Sequence, residues 1–279
     1  METVYDGHDA GADADRTRPA DAHERRMRAM KGSRIFSHLD LAALAGLPAL
    51  SGLSALARGG GGGPKVVVEL FTSQGCNSCP PADAFLHELA DRADVHAISY
   101  NVDYWNHLGW RDTLSKPDFT RRQRMYARAR GDMEIYTPQI VVNGHHHAVG
   151  TDRRRVLRLI EQEKRKGGCS LVPLRARKDG DVLVVDAGAA AGKLKGRKAT
   201  LWAVPVRREV KVKILRGENA GRKISYHHVA RGIIPAAMWQ GEEGRLKLPL
   251  REIMKSKADM CYLLLQLRGH GRIIGAARI

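Results

Sequence analysis

Two cysteines, Cys76 and Cys79, separate a β-strand pattern from a helix pattern, and this arrangement constrains the fold more than any other feature. Residues 65–71 form a continuous apolar run rich in valine, which is typical of a strand buried on both faces. Pro80 and Pro81 suit the first turn of a helix, where a missing N–H costs nothing. Apolar residues then recur at helical spacing at Ala82, Phe85, Leu86 and Leu89. The sequence therefore predicts a C-x-x-C pair at a helix N-terminus.

This position gives the cysteine pair a chemical meaning, because unpaired N–H groups and the helix dipole favour a thiolate over a thiol. We expect Cys76, on the exposed side of the turn, to be the nucleophile and Cys79, inside the first helical turn, to be the resolving thiol. A zinc half-site needs a second pair, whereas Cys169 and Cys261 are isolated. A purely structural disulfide would close only a very short loop. Both alternatives stay open, and a redox pair is the favoured interpretation.

The segment that follows predicts further alternating helices and strands. We expect a strand over 95–103, a helix over 118–130 that ends at Gly131, and a last helix over 153–166 that Asp152 caps. Between these helices, a strand over 139–144 closes on the hairpin turn Asn143-Gly144, with residues 145–150 as its partner. The predicted order is β1-α1-β2-α2-β3-β4-α3.

Residues 65–166 thereby resemble the thioredoxin superfamily, an α/β fold. In that superfamily a cis-proline enters the strand before a β-hairpin and lies against the C-x-x-C, and Thr137-Pro138 occupies this place here. The resemblance implies that Pro138 and Thr137 align an extended substrate. Thioredoxin also buries an acid on its first strand as a proton relay, and Glu69 is the candidate, one residue further from the nucleophile. The alternative is a strand-end glutamate that points to solvent.

More narrowly, residues 69–83, 100–112 and 136–139 resemble a family of secreted bacterial thioredoxin-like proteins that is catalogued as a domain of unknown function. The resemblance extends from about Val66 to the C-terminus. The chain departs from thioredoxin itself, because Gly75 rather than tryptophan precedes Cys76 and Asn77-Ser78 lies between the cysteines. The docking surface and redox tuning of thioredoxin are therefore not carried over.

A long aromatic loop over residues 103–112 follows the second predicted strand. Loops of this length in a compact domain are often binding loops. We expect Tyr104, Trp105 and Trp110 either to form a peptide-docking rim beside Cys76 or to pack as a plug at a domain interface.

Three consecutive histidines, His145, His146 and His147, follow the predicted hairpin turn. Because side chains alternate along a strand, we expect only His145 and His147 to share a face. Two ligands are too few for a metal site, so solvated hairpin histidines are the favoured interpretation. A copper site would become a contender if one of them approached both cysteine sulfurs.

The N-terminal part resembles an export signal. Residues 1–57 combine basic positions, a moderately apolar stretch and an A-x-A site at residues 55–57, which predicts a cleaved leader. An uncleaved anchor and a disordered extension are the alternatives. Residues 58–64 form a glycine-rich linker. We therefore expect an exported protein, periplasmic or secreted.

Residues 167–279 show a different pattern, of short alternating segments broken by Gly, Lys and Asp. This pattern predicts a separate antiparallel β-sandwich-like domain. Cys169 and Cys261 lie on different predicted strands, where they either pair or serve as small buried apolar side chains. The net charge of the chain is +17, and nearly all of it lies in this segment. Without an aromatic or helical basic face, no nucleic acid is expected, and an anionic envelope surface is a possible partner.

These patterns lead to one main hypothesis. We expect an exported thiol-disulfide oxidoreductase that uses Cys76 and Cys79, needs no cofactor or metal, and exchanges disulfides with envelope or secreted proteins. The alternative is a non-catalytic thioredoxin-like binding module, with copper handling as one role.

Overall fold

The computed structural model describes residues 65–255 and 257–279, so the predicted leader and linker lie outside the described residues. These residues belong to one compact unit, Arg58–Ile279. None of the helices within them is both long and apolar enough to cross a lipid bilayer. The helices are α1 (Pro80–Ala90), α2 (Pro117–Arg130), α3 (Arg153–Arg165) and the short α4 (Leu250–Met254). The strands are β1 (Val66–Thr72), β2 (Val95–Asn101), β3 (Gln139–Val142), β4 (His146–Val149), β5 (Leu174–Asp179), β6 (Val182–Ala187), β7 (Ala199–Lys213), β8 (Lys223–Ala230), β9 (Ile234–Trp239), β10 (Gly244–Pro249), β11 (Met260–Leu267) and β12 (Ile273–Arg278).

Local signals in the sequence set several of these boundaries. Gly131 ends α2 with a φ of 82°, a left-handed conformation that glycine adopts without strain. Asp152 caps α3 by accepting a hydrogen bond from the backbone N–H of Arg155 at 3.0 Å. Asn143 and Gly144 have φ values of 46° and 77° and form the tight turn between β3 and β4. The sequence predicted each of these three features.

The first half of the chain forms a four-stranded part of the main sheet. β1 pairs with β2 in parallel and with β3 in antiparallel orientation, and β3 pairs antiparallel with β4. Successive β1 side chains point to opposite faces. Val68 and Leu70 pack with residues of α1 and α3, whereas Val67 and Phe71 pack with residues of α2. β1 is therefore buried on both faces, as its apolar run predicted.

The second half of the chain extends the same sheet. The strand order is β12-β11-β7-β8-β2-β1-β3-β4, and β9 pairs with β7 off this path. The link between the halves is a parallel contact between β2 and β8, in which Ser99 is paired with Val229. It covers the edge of β2 that would otherwise leave backbone groups unpaired. The two segments predicted as separate domains therefore share one mixed sheet.

Residues 167–279 do not form the independent β-sandwich-like domain that the sequence predicted. Only β10, β6 and β5 form a second, antiparallel sheet. Leu183 and Val185 of this sheet belong to the same apolar cluster as Leu201 and Leu263 of the main sheet. The alternating pattern of the sequence identified strands that are buried on one face, but it did not encode their partners.

Candidate active site

Cys76 and Cys79 form a disulfide with a Cα–Cα distance of 5.4 Å. The pair lies between the end of β1 and the start of α1, as predicted. Cys79 is the N-cap residue of α1 rather than a residue of its first turn. Its carbonyl oxygen accepts hydrogen bonds from the N–H groups of Ala82 and Asp83 at 2.9 and 3.0 Å. The strand-to-helix junction thus fixes the disulfide at the amino end of the helix.

Both cysteines are buried, with 1% of Cys76 and 0% of Cys79 exposed. The expectation that Cys76 lies on an exposed side of the turn is wrong. The loop over residues 214–222, which connects β7 and β8, is bonded to the backbone of this turn. Asn219, itself buried, donates hydrogen bonds from Nδ2 to the carbonyl oxygens of Gln74 and Cys76 at 3.0 and 2.8 Å. The second half of the chain therefore helps to close the site.

The same loop also reaches the residues between the two cysteines. The N–H of Asn77 donates a hydrogen bond to the Glu218 carboxylate at 3.3 Å. Asn77 and Ser78 are exposed, so the contact lies at the surface. The sequence carries no signal for these contacts, because Asn219 is 143 positions away from Cys76.

The donors that favour a thiolate differ from those expected. Pro80 and Pro81 occupy the first helical positions and have no N–H, and the N–H of Ala82 is already bonded to Cys79. The hydroxyl of Ser78 lies 3.4 Å from the Cys76 sulfur. A Cys76 thiolate would therefore be stabilised by this hydroxyl and by the helix dipole rather than by free amides.

Two of the three aromatic residues of the predicted binding loop contact the residues that precede Cys76. Trp110 donates a hydrogen bond from Nε1 to Oε1 of Gln74 at 2.9 Å. A Cβ placed on Gly75 would lie 3.3 Å from Cβ of Trp105, so this tryptophan covers the residue before Cys76. Tyr104 interacts with Thr137, and burial raises the pKa of its hydroxyl to about 12. The loop thus reaches the residues before Cys76 through Trp105 and Trp110, whereas Tyr104 interacts with Thr137.

A buried carboxylate anchors the aromatic loop to the end of β1. Asp112 accepts hydrogen bonds from the N–H of Gln74 at 2.8 Å and from Nδ2 of Asn101 at 2.9 Å. It also accepts from the N–H of Leu114 at 2.7 Å. Burial raises the pKa of Asp112, and these donors oppose the shift. The loop is therefore held against the residues that precede Cys76.

Pro138 follows a cis peptide bond from Thr137 and lies at the start of β3. Its carbonyl oxygen accepts a hydrogen bond from Gly150 at 2.8 Å. A Cβ placed on Gly150 would approach Cβ of Ala82 at 2.9 Å and Cβ of Pro138 at 3.0 Å. Gly150 thus lies between Pro138 and the first turn of α1, so the proline lies beside the helix that carries the disulfide.

Glu69 lies on the other face of the sheet. Its carboxylate pairs with Nε of Arg122 at 2.7 Å and accepts a hydrogen bond from the Tyr126 hydroxyl. The side chains of Glu69 and Arg122 are 0% and 2% exposed. Glu69 alternates with Val68 and Leu70, which face α1, and therefore points toward α2. Neither predicted role fits, because the carboxylate is neither solvent-facing nor on the cysteine side.

Asp83 is a buried acid in the first turn of the helix that carries the disulfide, and no sequence motif had singled it out. It lies four residues after Cys79, so the two side chains share a face of the helix start. It is 3% exposed, and burial raises the pKa of its carboxyl well above the usual range, helped by the charge of Asp112. The signal was the helical spacing from Cys79.

The three histidines do not all lie on one strand, because the first of them belongs to the hairpin turn. Nε2 of His145 and Nε2 of His146 lie 3.5 and 3.4 Å from the Glu163 carboxylate, whereas His147 approaches Asp132 at 3.3 Å. The expected sharing of a face by His145 and His147 is wrong, because His145 belongs to the turn and β4 begins only at His146.

Cys169 and Cys261 are free and buried, and they do not pair with each other. They belong to different apolar clusters, and burial raises the pKa of each thiol to about 12. Both act as small apolar side chains in the core.

Together, the fold and the site define a mixed α/β protein with a buried C-x-x-C disulfide where a strand passes into a helix. The chain belongs to the family described as protein of unknown function (DUF1223), which matches residues 67–266. This result confirms the expected membership in a family of unknown function.

Two solved structures are similar to the chain. A protein from Agrobacterium tumefaciens, known from a crystal structure, shares 37% identity with a TM-score of 0.69, over 79% of this chain and 96% of that one. HBP35 of Porphyromonas gingivalis shares 16% identity with a TM-score of 0.53, over 79% of this chain and 76% of that one, and this likeness concerns the fold alone. No curated protein matches the chain.

Proposed function

We propose that this protein is a thiol-disulfide oxidoreductase whose reactive group is the Cys76–Cys79 pair. The observation that carries the proposal is the disulfide at the start of α1 with Pro138 beside the same helix. The strand order β2-β1-β3-β4, with β1 and β2 parallel, supports a thioredoxin-like arrangement of this half of the sheet.

The reaction is a pair of thiolate exchanges. A thiolate of a partner protein attacks the Cys76 sulfur, a mixed disulfide forms, and the Cys76–Cys79 bond breaks with Cys79 leaving as a thiolate. A second thiolate of the partner then attacks the partner sulfur that is bonded to Cys76. This step forms the disulfide of the partner and releases Cys76 as a thiolate. Two electrons pass from the partner dithiol to the protein, and the partner gains a disulfide. The reverse sequence reduces a partner disulfide by the same steps.

Asp83 is the residue we assign to the proton that accompanies Cys79. Burial raises the pKa of its carboxyl, so the group carries a proton under conditions in which an exposed aspartate would not. It can donate this proton as Cys79 leaves, and it can accept a proton when Cys79 attacks. Asp83 thus takes the role that the superfamily resemblance gave to Glu69.

The partners in this proposal are protein thiols and disulfides. Trp105 and Trp110 lie beside the residues that precede Cys76, and together with Tyr104, Thr137 and Pro138 they would form the surface that meets an extended partner segment. Export to an oxidising compartment agrees with a disulfide-forming role. Anchoring of the basic second half at an anionic envelope surface belongs to the same proposal.

Activity assays test the proposal directly. The full chain is assayed for dithiothreitol-dependent reduction of insulin and for oxidation of reduced ribonuclease, together with Cys76→Ser and Cys79→Ser. Cys169→Ala is the matched control, because it removes a cysteine that is buried and free. We expect loss of activity in the first two variants only. Equal rates for all four proteins would overturn the enzymatic proposal, and stoichiometric copper bound by the reduced pair would favour the binding module instead.

A further inference from the structure

A second group of polar side chains converges at the hairpin between β3 and β4, with none of the cysteines among them. Nε2 of His145, Nε2 of His146 and a carboxylate oxygen of Glu163 all lie within 4.8 Å of one another. The Glu163 side chain is 0% exposed, whereas the two histidines are 31% and 30% exposed. One buried carboxylate therefore lies beneath two imidazoles that solvent can reach.

The spacing of these atoms matches a metal centre better than a hydrogen-bonded cluster. Oε1 of Glu163 lies 3.5 Å from Nε2 of His145 and 3.4 Å from Nε2 of His146. Bonds of about 2.0–2.1 Å in a tetrahedral zinc site place neighbouring ligand atoms about 3.3–3.4 Å apart. Within the described residues, neither Oε1 of Glu163 nor Nε2 of His146 has a hydrogen-bond partner. These two buried atoms therefore lie about as far apart as two ligand atoms of one zinc ion.

Outer contacts orient the ligand atoms toward this gap. Nδ1 of His145 lies 3.1 Å from the carbonyl oxygen of Asn143 and can donate a proton to it, which leaves Nε2 with its lone pair. The other oxygen of Glu163, Oε2, accepts a hydrogen bond from Nδ2 of Asn143 at 3.1 Å and pairs with Arg272 at 2.9 Å. Oε1 lies 3.6 Å from Nζ of Lys166 but makes no hydrogen bond, and it is therefore the oxygen available to a metal.

We propose that His145, His146 and Glu163 bind a zinc ion, with water as the fourth ligand. Two imidazole nitrogens and one carboxylate oxygen form a known ligand set for zinc with an open position. His146 also lines an open groove of about 820 Å³ along α3, whose other lining residues include Arg154, Arg155, Arg158 and Arg165. Positive charges oppose binding, because these arginines line the groove and because Lys166 lies 3.6 Å and Arg272 lies 2.9 Å from the carboxylate.

A neighbouring cluster provides an internal control. Asp132, Glu134 and His147 also lie within ligand distance of one another, but both acids are exposed. The Asp132 carboxylate is already engaged, because Arg130 donates to its two oxygens at 2.7 and 3.0 Å. His147 is therefore a matched histidine of the same hairpin that lies outside the proposed site.

The test is a titration of the full chain, without a histidine tag and with its disulfide intact, with zinc chloride in a calorimeter. We compare the wild type with Glu163→Gln, His146→Ala and the control His147→Ala. The intact disulfide prevents zinc from binding to free thiols of the C-x-x-C. Cobalt(II) absorbance in the visible region gives a second readout, because tetrahedral coordination by nitrogen and oxygen produces bands that an octahedral aqua ion lacks.

We expect one zinc ion per chain in the wild type and in His147→Ala, and at least tenfold weaker binding in the other two variants. His146 is partly exposed, so His146→Ala provides the test even if Glu163→Gln fails to fold. Absence of binding by the wild type, or equal affinity in all four proteins, would overturn the proposal. The outcome is independent of the thiol-disulfide activity, which the cysteine variants report.

Discussion

Asn219 donates a hydrogen bond from its side-chain amide to the carbonyl oxygen of Cys76 at 2.8 Å. The same amide group donates to the carbonyl oxygen of Gln74 at 3.0 Å, so one residue of the loop between β7 and β8 holds the backbone of the turn that leads into the C-x-x-C. The disulfide is buried in this arrangement. In the proposed reaction, we expect access of a partner thiolate to Cys76 to depend on release of this loop.

Asn219→Ala should make the disulfide more reactive. The change removes two buried hydrogen bonds, each worth about 0.5–1.5 kcal/mol, and so favours the open loop. We expect reduction of the disulfide by dithiothreitol to be about tenfold faster, measured by alkylation of the released thiols over time. Glu218→Gln is the control, because its contact with Asn77 is exposed and should change the rate little. Equal rates for Asn219→Ala and the wild type would show that the loop does not limit access.

Asp83→Asn should alter the pH dependence of exchange. The amide keeps the size of the side chain but carries no acidic proton. Burial raises the pKa of Asp83, so the wild-type acid donates its proton below that raised pKa and loses this capacity as the pH rises through it. We expect a loss of about 10²-fold in the rate at neutral pH and a flatter pH profile, measured by stopped-flow exchange with a model disulfide. A variant with the wild-type profile would exclude Asp83 as the relay.

Glu69→Gln should act on stability and leave the shape of the pH profile unchanged. The substitution leaves the buried guanidinium of Arg122 without its ionic partner, which costs about 3–5 kcal/mol. Replacing both partners, as Glu69→Leu with Arg122→Met, should recover much of this loss, because no buried charge is left alone. Denaturant unfolding followed by circular dichroism measures both effects. If Glu69→Gln changed the pH profile at unchanged stability, Glu69 would act in the reaction after all.

His96→Phe should weaken the acid sensitivity of the fold. Burial lowers the pKa of His96 to about 3, helped by the charges of Lys65 and Arg278. An unfolded histidine has a pKa of about 6.5, so between these values only the unfolded chain binds the proton. The unfolding free energy of the wild type therefore falls as pH falls through this window, by up to about 1.4 kcal/mol per pH unit from this residue.

The variant lacks this contribution, so its unfolding free energy should depend less on pH between 6.5 and 4. Within the described residues neither ring nitrogen of His96 has a hydrogen-bond partner, so phenylalanine removes no such bond. The exposed His107 provides the control variant His107→Ala, which should keep the wild-type slope. Urea unfolding at several pH values measures these slopes. Parallel curves for His96→Phe and the wild type would contradict the prediction.

The sequence was sufficient for features whose cause is local. The cysteine pair between strand and helix, the cap at Asp152, the helix end at Gly131 and the Asn143-Gly144 turn all follow from neighbouring residues. Periodicity also distinguished helices from strands, because side chains repeat every 3.6 residues in one and every two in the other. In the second half, it predicted two separate segments, 199–206 and 209–215, where the structure has the single strand β7 of 15 residues.

The tertiary structure decided which distant residues meet. The pairing of β8 with β2, the closure of the C-x-x-C by Asn219 and the partnership of Glu69 with Arg122 each join positions that are far apart in the chain. Such contacts depend on strand register and on the face to which each side chain points, and neither is recorded in local periodicity. Local sequence was therefore enough to identify the cysteine pair and the elements that carry it. Burial of the pair and the partnership of Glu69 with Arg122 depend on tertiary packing, which brings together residues that are far apart in the chain.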